Sequence, residues 1–217
     1  MTTVDLQAIR SELTVFLRNE DIISVDERGV TTVSDAFTGN GTQTDFILTN
    51  VGVKNVRSVT VDLVLQIFGV DYTVNYHSGV VAFLSAPVSL SAIAVSYDFG
   101  VGDRVYPDLP RIDLDLTSYP RVGFDDVSIT SNEEALNAEL IRSDILITMI
   151  TYSNRKDELL EVLKRARDAI ISNKKSFFFF QFITPTSTGP MVLSAGRSDK
   201  IMQKSQDFRI PFEFEVV

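Results

Sequence analysis

Residues 144–182 read DILITMITYSNRKDELLEVLKRARDAIISNKKSFFFFQF, and the fold class turns on them. Ile145 to Ile150 is apolar except for Thr148, as expected of a buried strand. From Asn154 to Ile171 the period changes to that of a helix. Leu159, Leu163, Ala166 and Ile170 form one stripe, with Val162 and Ala169 on its shoulder. Asp157, Glu161, Lys164, Arg165 and Asp168 fall on the opposite side. Asn154 is the expected N-cap, and Lys174 and Lys175 complement the dipole beyond the far end. Phe177 to Phe180 then read as a second buried strand. Strand, one-sided helix and strand together predict a compact α/β layer.

Outward from that layer, the first helix is expected over Thr3–Asn19. Its stripe is Leu6, Ile9, Leu13, Phe16 and Leu17, and it is too short to persist undocked. Asn19 to Gly29 is polar and reads as a linker. Val30 to Gly100 reads as β throughout, with turn signals at close intervals, which suggests a small sandwich or barrel. Val59, Val61, Leu63, Leu65 and Ile67 alternate as one long strand, and Ile93, Val95 and Tyr97 as another. After Pro110, Ile112, Leu114 and Leu116 alternate with acids. Val122 and Phe124 share one parity, Val127 and Ile129 the other, so a one-residue bulge is expected near Asp125-Asp126. Thr184 to Lys200 reads as a loop. Phe208, Ile210, Phe212, Phe214 and Val216 alternate along a final strand, where Pro211 removes a ladder donor and points to an edge.

The fold expectation is α+β: a discontinuous α/β domain, residues 1–29 and 101–217, with an all-β sandwich or barrel inserted at 30–100. Bulk properties narrow the function. Of 217 residues 44% are hydrophobic, so the chain can bury a core. There is no cysteine, hence no disulfide framework, thiolate metal site or thiol nucleophile. The first residues lack the basic and apolar regions of a signal peptide, and no apolar run is long enough for a bilayer; a soluble protein is expected. Twenty basic against 29 acidic residues leaves −9, the wrong sign for gripping phosphates.

The candidate sites divide into acids, turns and apolar runs. Asp113, Asp115, Asp125 and Asp126 are hard-cation candidates, although alternating acids more often mark the wet face of a strand. Glu133 and Glu134 have no placed partner for glycoside chemistry. His77, the only histidine, sits in a His-Ser-Gly turn. Gly39-Asn40-Gly41 lacks the lysine of a phosphate loop, and Asn40-Gly41-Thr42 matches a glycosylation acceptor that reads better as a turn. Neither a catalytic constellation nor a metal or cofactor site is expected. Lys164, Arg165, Arg167, Lys174 and Lys175 make a basic helix end that serves the dipole or an acidic neighbour. Phe177, Phe178, Phe179 and Phe180 would face both sides of a strand, so burial within the chain and a subunit boundary both account for them. With Phe208, Ile210, Phe212 and Phe214 they form the candidate subunit interface.

Two resemblances bear on function. Phe37-Thr-Gly-Asn-Gly41 with Phe46, Gly69-Val-Asp-Tyr72, Gly79-Val-Val-Ala-Phe83, Ala86-Pro87 and Val95-Ser-Tyr-Asp98 resemble a β-module found in tailed-phage virion proteins. The module covers about a third of the chain. The order helix, strands, long strand, helix, strand, loop, strand resembles the tail terminator proteins of long-tailed phages. It rests on Tyr119-Pro-Arg-Val122, the strand into Tyr152, the helix after it and the strand Phe208–Val217. The large insertion departs from the compact members of that family. The resemblance implies a structural virion protein of the tail neck, assembled in the host cytoplasm. It implies a homo-oligomeric ring, a hexamer in that family, whose partners are the tail tube protein and the head connector or stopper. Genome DNA would pass through without specific binding, and no membrane would be involved. The alternatives are another tail component (a tube, distal-tail or baseplate protein) and a carbohydrate-binding host-recognition module.

Overall fold

The computed structural model describes residues 6–100, 102, 104–109, 119–133, 140–175, 177, 180, 182–193 and 201–215. In chain order the elements are α1 (Leu6–Asn19), α2 (Val25–Arg28), β1 (Thr31–Thr38), β2 (Asp45–Ile47), β3 (Val53–Val61), β4 (Val64–Leu65), β5 (Tyr72–Asn75), β6 (Val80–Phe83) and β7 (Ala92–Phe99). There follow β8 (Arg121–Glu133), β9 (Leu140–Ser153), α3 (Lys156–Ser172), β10 (Thr184–Thr188), β11 (Val192–Leu193) and β12 (Met202–Glu215). Helices and several antiparallel sheets make the chain α+β. It divides into two compact units, one from the chain up to Ile23 and from Arg104 onward, the other from Ser24–Asp103.

In the first unit the sheet order is β10-β12-β9-β8, with β11 also on β12. Ile145, Ile147 and Met149 of β9, Phe124 of β8 and Phe208 and Ile210 of β12 are buried on one face. Both long helices cover that face. Ile9, Leu13 and Leu17 of α1 and Val162, Leu163, Ala166 and Ile170 of α3 share its core, so the two predicted stripes meet on the same sheet. Between β8 and β9 the register shifts from Asp125 to Val127, so the chain takes its bulge where the apolar parity changes. β8 is covered at its start by a parallel bridge from Val105 to Val122, and Arg18 holds this segment by donating to Val105 O at 2.7 Å.

Three expectations about this unit need correction. The expected loop at 184–200 contains two short strands that pair with β12. Hence β12 lies between two neighbours from Met202 to Arg209, with β9 on one side and β10 and β11 on the other, and the edge expected along this strand is confined to the residues beyond Arg209. Pairing with β10 stops at Arg209, two residues before Pro211, so the proline falls where the described chain offers no second ladder to break. At α3 the N-cap position is Arg155, with no side-chain cap. The Ser153 hydroxyl accepts the N–H of Arg155 at 3.1 Å and donates to the Glu158 carboxylate, which ties the helix start to the end of β9 without capping a first-turn N–H.

The second unit holds two antiparallel sheets, β1-β7-β3-β4 and β2-β6-β5. Val56, Val59, Ile93, Val95 and Tyr97 of the first and Phe46, Tyr72, Val81 and Phe83 of the second share one core. The Tyr97 hydroxyl is fully employed: it donates to Asp35 Oδ2 at 3.0 Å and accepts from Asn50 Nδ2 at 2.9 Å, so its burial leaves no orphan. The single strand expected from Val59 to Ile67 is in fact a hairpin. Val61 pairs with Val64 across Asp62 and Leu63, whose φ values of 50° and 68° are those of a type I′ turn. The alternation in the sequence ran on across the turn, but the register places Leu65 opposite Thr60 and Val64 opposite Val61, so the odd positions change face there. The apolar residues beyond the turn point to solvent instead of the core.

The presumed linker 19–29 also has structure. Ser24 and Glu27 form a reciprocal capping box around α2, and Gly29 closes it in the left-handed region. Gly102 lies so close to Arg28 O that an added Cβ would stand 2.5 Å from it. The two ends of the unit therefore lie side by side. We expect replacement of 24–103 by a short Gly/Ser linker to leave a first unit that melts cooperatively. Loss of a cooperative transition in calorimetry would show that the units depend on one another to fold.

Candidate functional site

Neither Phe177 nor Phe180 lies in a strand. Phe177 and Phe180 are both buried in the core of the first unit, their rings stacked 4.5 Å apart at 23°. Phe177 also meets Phe16 of α1 edge-on at 5.0 Å, the preferred arrangement for two ring quadrupoles. A spacing of three residues brings both rings to one side, whereas a strand would have put them on opposite faces. Phe208 and Ile210 are fully buried under the helices. A side chain enclosed by its own subunit has no surface left for a neighbour, so these four residues are core and not interface. Phe178 and Phe179 lie outside the described residues. Of Phe212 and Phe214 the structure describes the backbone alone, paired with Ser143 and Ile141.

What the first unit does offer is the other face of its sheet. Ile150 and Tyr152 of β9 pack there with Ile201 and Tyr119, and the Arg121 guanidinium lies 5.9 Å from the Tyr119 ring. Burial raises the pKa of the Tyr152 phenol, assisted by the Asp125 charge. Farther along, the same face is polar. Thr148 Oγ1 on β9 donates to Asp207 Oδ1 on β12 at 2.8 Å, and Ser187 on β10 donates to the other oxygen of that carboxylate. Arg209 on β12 pairs with Asp144 on β9 at 2.8 Å, and this hydrogen bond holds its pKa above the ordinary arginine value. A half-exposed face carrying hydroxyls and ion pairs across three strands is chemically suited to a polar, wet neighbour.

The basic helix end is partly consumed. Arg165 pairs with Glu161 one turn back, Arg167 approaches Asp168 at 3.7 Å, and Lys174 lies over the Phe182 ring at 5.3 Å. Lys164 and Arg165 line a groove of about 520 Å³ together with Glu20, Glu161 and Asp168, and this mixture of signs makes no anion site.

Several other candidates resolve as turns. Asn75 Oδ1 accepts the N–H groups of His77 and Ser78, both at 3.1 Å, so the exposed histidine sits in an Asx turn. Asn40 does the same for Thr42 and Gln43. Asp113, Asp115 and Glu134 lie outside the described residues, as do the side chains of Asp126 and Glu133. Among the described residues no three His, Asp or Glu side chains are grouped as a metal site, and no helix is long and apolar enough to cross a membrane.

Sequence reasoning missed the most highly organised charge cluster, which belongs to the second unit. Asp98 is fully buried. It accepts from Arg28 Nη2 at 3.0 Å, from Arg57 Nε at 2.7 Å and Nη2 at 3.1 Å, and from Thr32 Oγ1 at 2.6 Å. Burial opposes its ionisation, but the hydrogen bonds from Arg57, Thr32 and Arg28 outweigh this and hold its pKa below the usual carboxylate range. The cluster joins α2 to β7 and β3, and with every donor aimed inward it is a clasp for the fold, not a reactive centre. Asp98 falls on the polar parity of β7, with Ala94 and Ser96, and so gave no local signal; its arginine partners stand 41 and 70 residues away.

No protein-family model matches the chain, and no characterised protein matches it either.

Proposed function

We propose that the chain is a structural virion protein: a tail terminator or neck ring subunit that caps the tail tube and joins it to the head connector. The observation that carries this reading is the arrangement of the first unit. Its elements run α1, β8, β9, α3, then β10 to β12, with a β unit inserted after the first helix, and both long helices lie on one face of the sheet. The first helix, the long strand into Tyr152, the helix after it and the closing strand follow the order of the terminator resemblance, while β10 and β11 stand where that order had a strand at the phenylalanines and then a loop. The other sheet face and the strand edges are left for neighbouring copies. The virion-type motifs all fall within the inserted β unit, which as a sandwich-like appendage would decorate the ring.

The mechanism is assembly. Head-to-tail contacts that close on themselves make a ring, a hexamer by the resemblance, with one rim against the tube protein and the other against the connector or stopper. A net charge of −9 suits a passage that does not hold exiting DNA. The protein would reside in the virion neck after assembly in the host cytoplasm. Particles made without it should contain DNA-filled heads and separate tubes lacking a cap. Intact, infectious tailed particles made in its absence would end this reading.

A further inference from the structure

We infer that the end of the β unit remote from its chain junctions is a contact surface for a second copy of this chain. Four connections lie at that end, and hydrogen bonds tie them together. Asp62 N–H donates to Ala92 O, and Ala92 N–H to Asp62 Oδ1, both at 2.8 Å. Leu90 N–H donates to Gly39 O at 2.8 Å, and Leu84 N–H to Asp71 O at 2.9 Å. The four loops therefore form one surface. Of the fifteen large apolar side chains exposed among the described residues, nine stand here, a bias that scattered surface residues do not produce.

Two of the nine come at a cost to the backbone. Leu63 and Leu90 occupy turn positions with φ of 68° and 70°, where glycine or asparagine is the unstrained choice, and they are 94% and 85% exposed. A leucine that is strained and bare contributes little to its own fold. Its apolar surface has value only when something covers it.

Area and charge point to a second copy as the covering partner. The nine side chains leave on the order of 1,000 Å² in water, more than the usual largest patch on a monomer and comparable with one partner's share of a stable interface. No Lys or Arg occurs in 62–71 or 84–92, which disfavours anionic lipid and nucleic acid. The only two acids there, Asp62 and Asp71, are engaged by the N–H groups of Ala92 and Ile67. For a chain of net charge −9 this is a place where two copies meet with few like charges opposed.

The test is sedimentation of the full chain at micromolar concentration, wild type against the Leu63→Asn, Leu90→Asn double variant, with a thermal melt of each. We expect the variant's mass to fall twofold while its melting temperature holds or rises, because asparagine relieves the turn strain. The readout is the change on substitution, whatever the starting mass, so it is independent of whether the chain forms a ring. Equal masses for the two proteins would overturn the inference. In that case, flotation of wild type but not variant with phosphatidylcholine vesicles would assign the surface to lipid, and flotation of neither to a foreign protein.

Discussion

Substituting Asp98 by Ala should unfold most of the inserted β unit while leaving the first unit intact. The carboxylate sits between a fully buried Arg28 and a mostly buried Arg57. Its removal strands a guanidinium charge in the interior, which costs about 3–5 kcal/mol. Amide exchange read by mass spectrometry should then rise by two orders of magnitude or more across β3 and β7, with β9 and β12 unchanged. Unaltered protection in β3 and β7 would show that the cluster contributes nothing net. Asp98→Asn keeps an acceptor and should cost less.

The same carboxylate sets a pH dependence. Its folded pKa is depressed relative to the unfolded chain. The stability it contributes is therefore complete above the unfolded value near ~3.9 and is lost as pH falls through the lower folded value. The β unit should consequently lose stability below about pH 4, and Asp98→Asn should flatten that slope. An identical acid limb in both proteins would assign the effect to other carboxylates.

The second large effect is expected at the phenylalanines. Phe180→Asp should unfold the first unit, since a carboxylate would replace a ring stacked on Phe177 beneath both helices. Phe180→Ala should cost about 3–5 kcal/mol through lost burial and a residual cavity, and Phe208→Ala a similar amount. Both are measurable by urea unfolding. A Phe180→Asp protein that melts normally but changes its mass would return that residue to the interface.

Periodicity carried the readings that succeeded. The stripe of α3 and the alternation of β7 each bury a face, so the period alone places their residues. The bulge was legible because one shifted residue inverts every later side chain, and the parity change between Phe124 and Val127 has no other simple cause. The failures share a different origin. Nothing in Val59–Ile67 announced a turn, because Asp-Leu is a poor type I′ pair and apolar residues recur at odd positions on both sides of it. Four phenylalanines in a row carry no period, so nothing in the sequence distinguished a strand from an arrangement with Phe177 and Phe180 on one side. The strands within 184–193 are short and hydroxyl-rich, and only their pairing with β12 makes them strands. Arg28 and Asp98 meet across 70 residues, beyond the range of any local pattern.

The copy number per virion tests most directly the proposal that this chain is a neck ring subunit. Quantitative mass spectrometry of purified particles, calibrated against the tube protein, should find six copies, one ring of 24.2 kDa subunits. Twelve would signify two rings joined through the inserted unit and leave the claim standing. Scores of copies in proportion to tail length would make it a tube protein, and absence from the particle would contradict the claim outright.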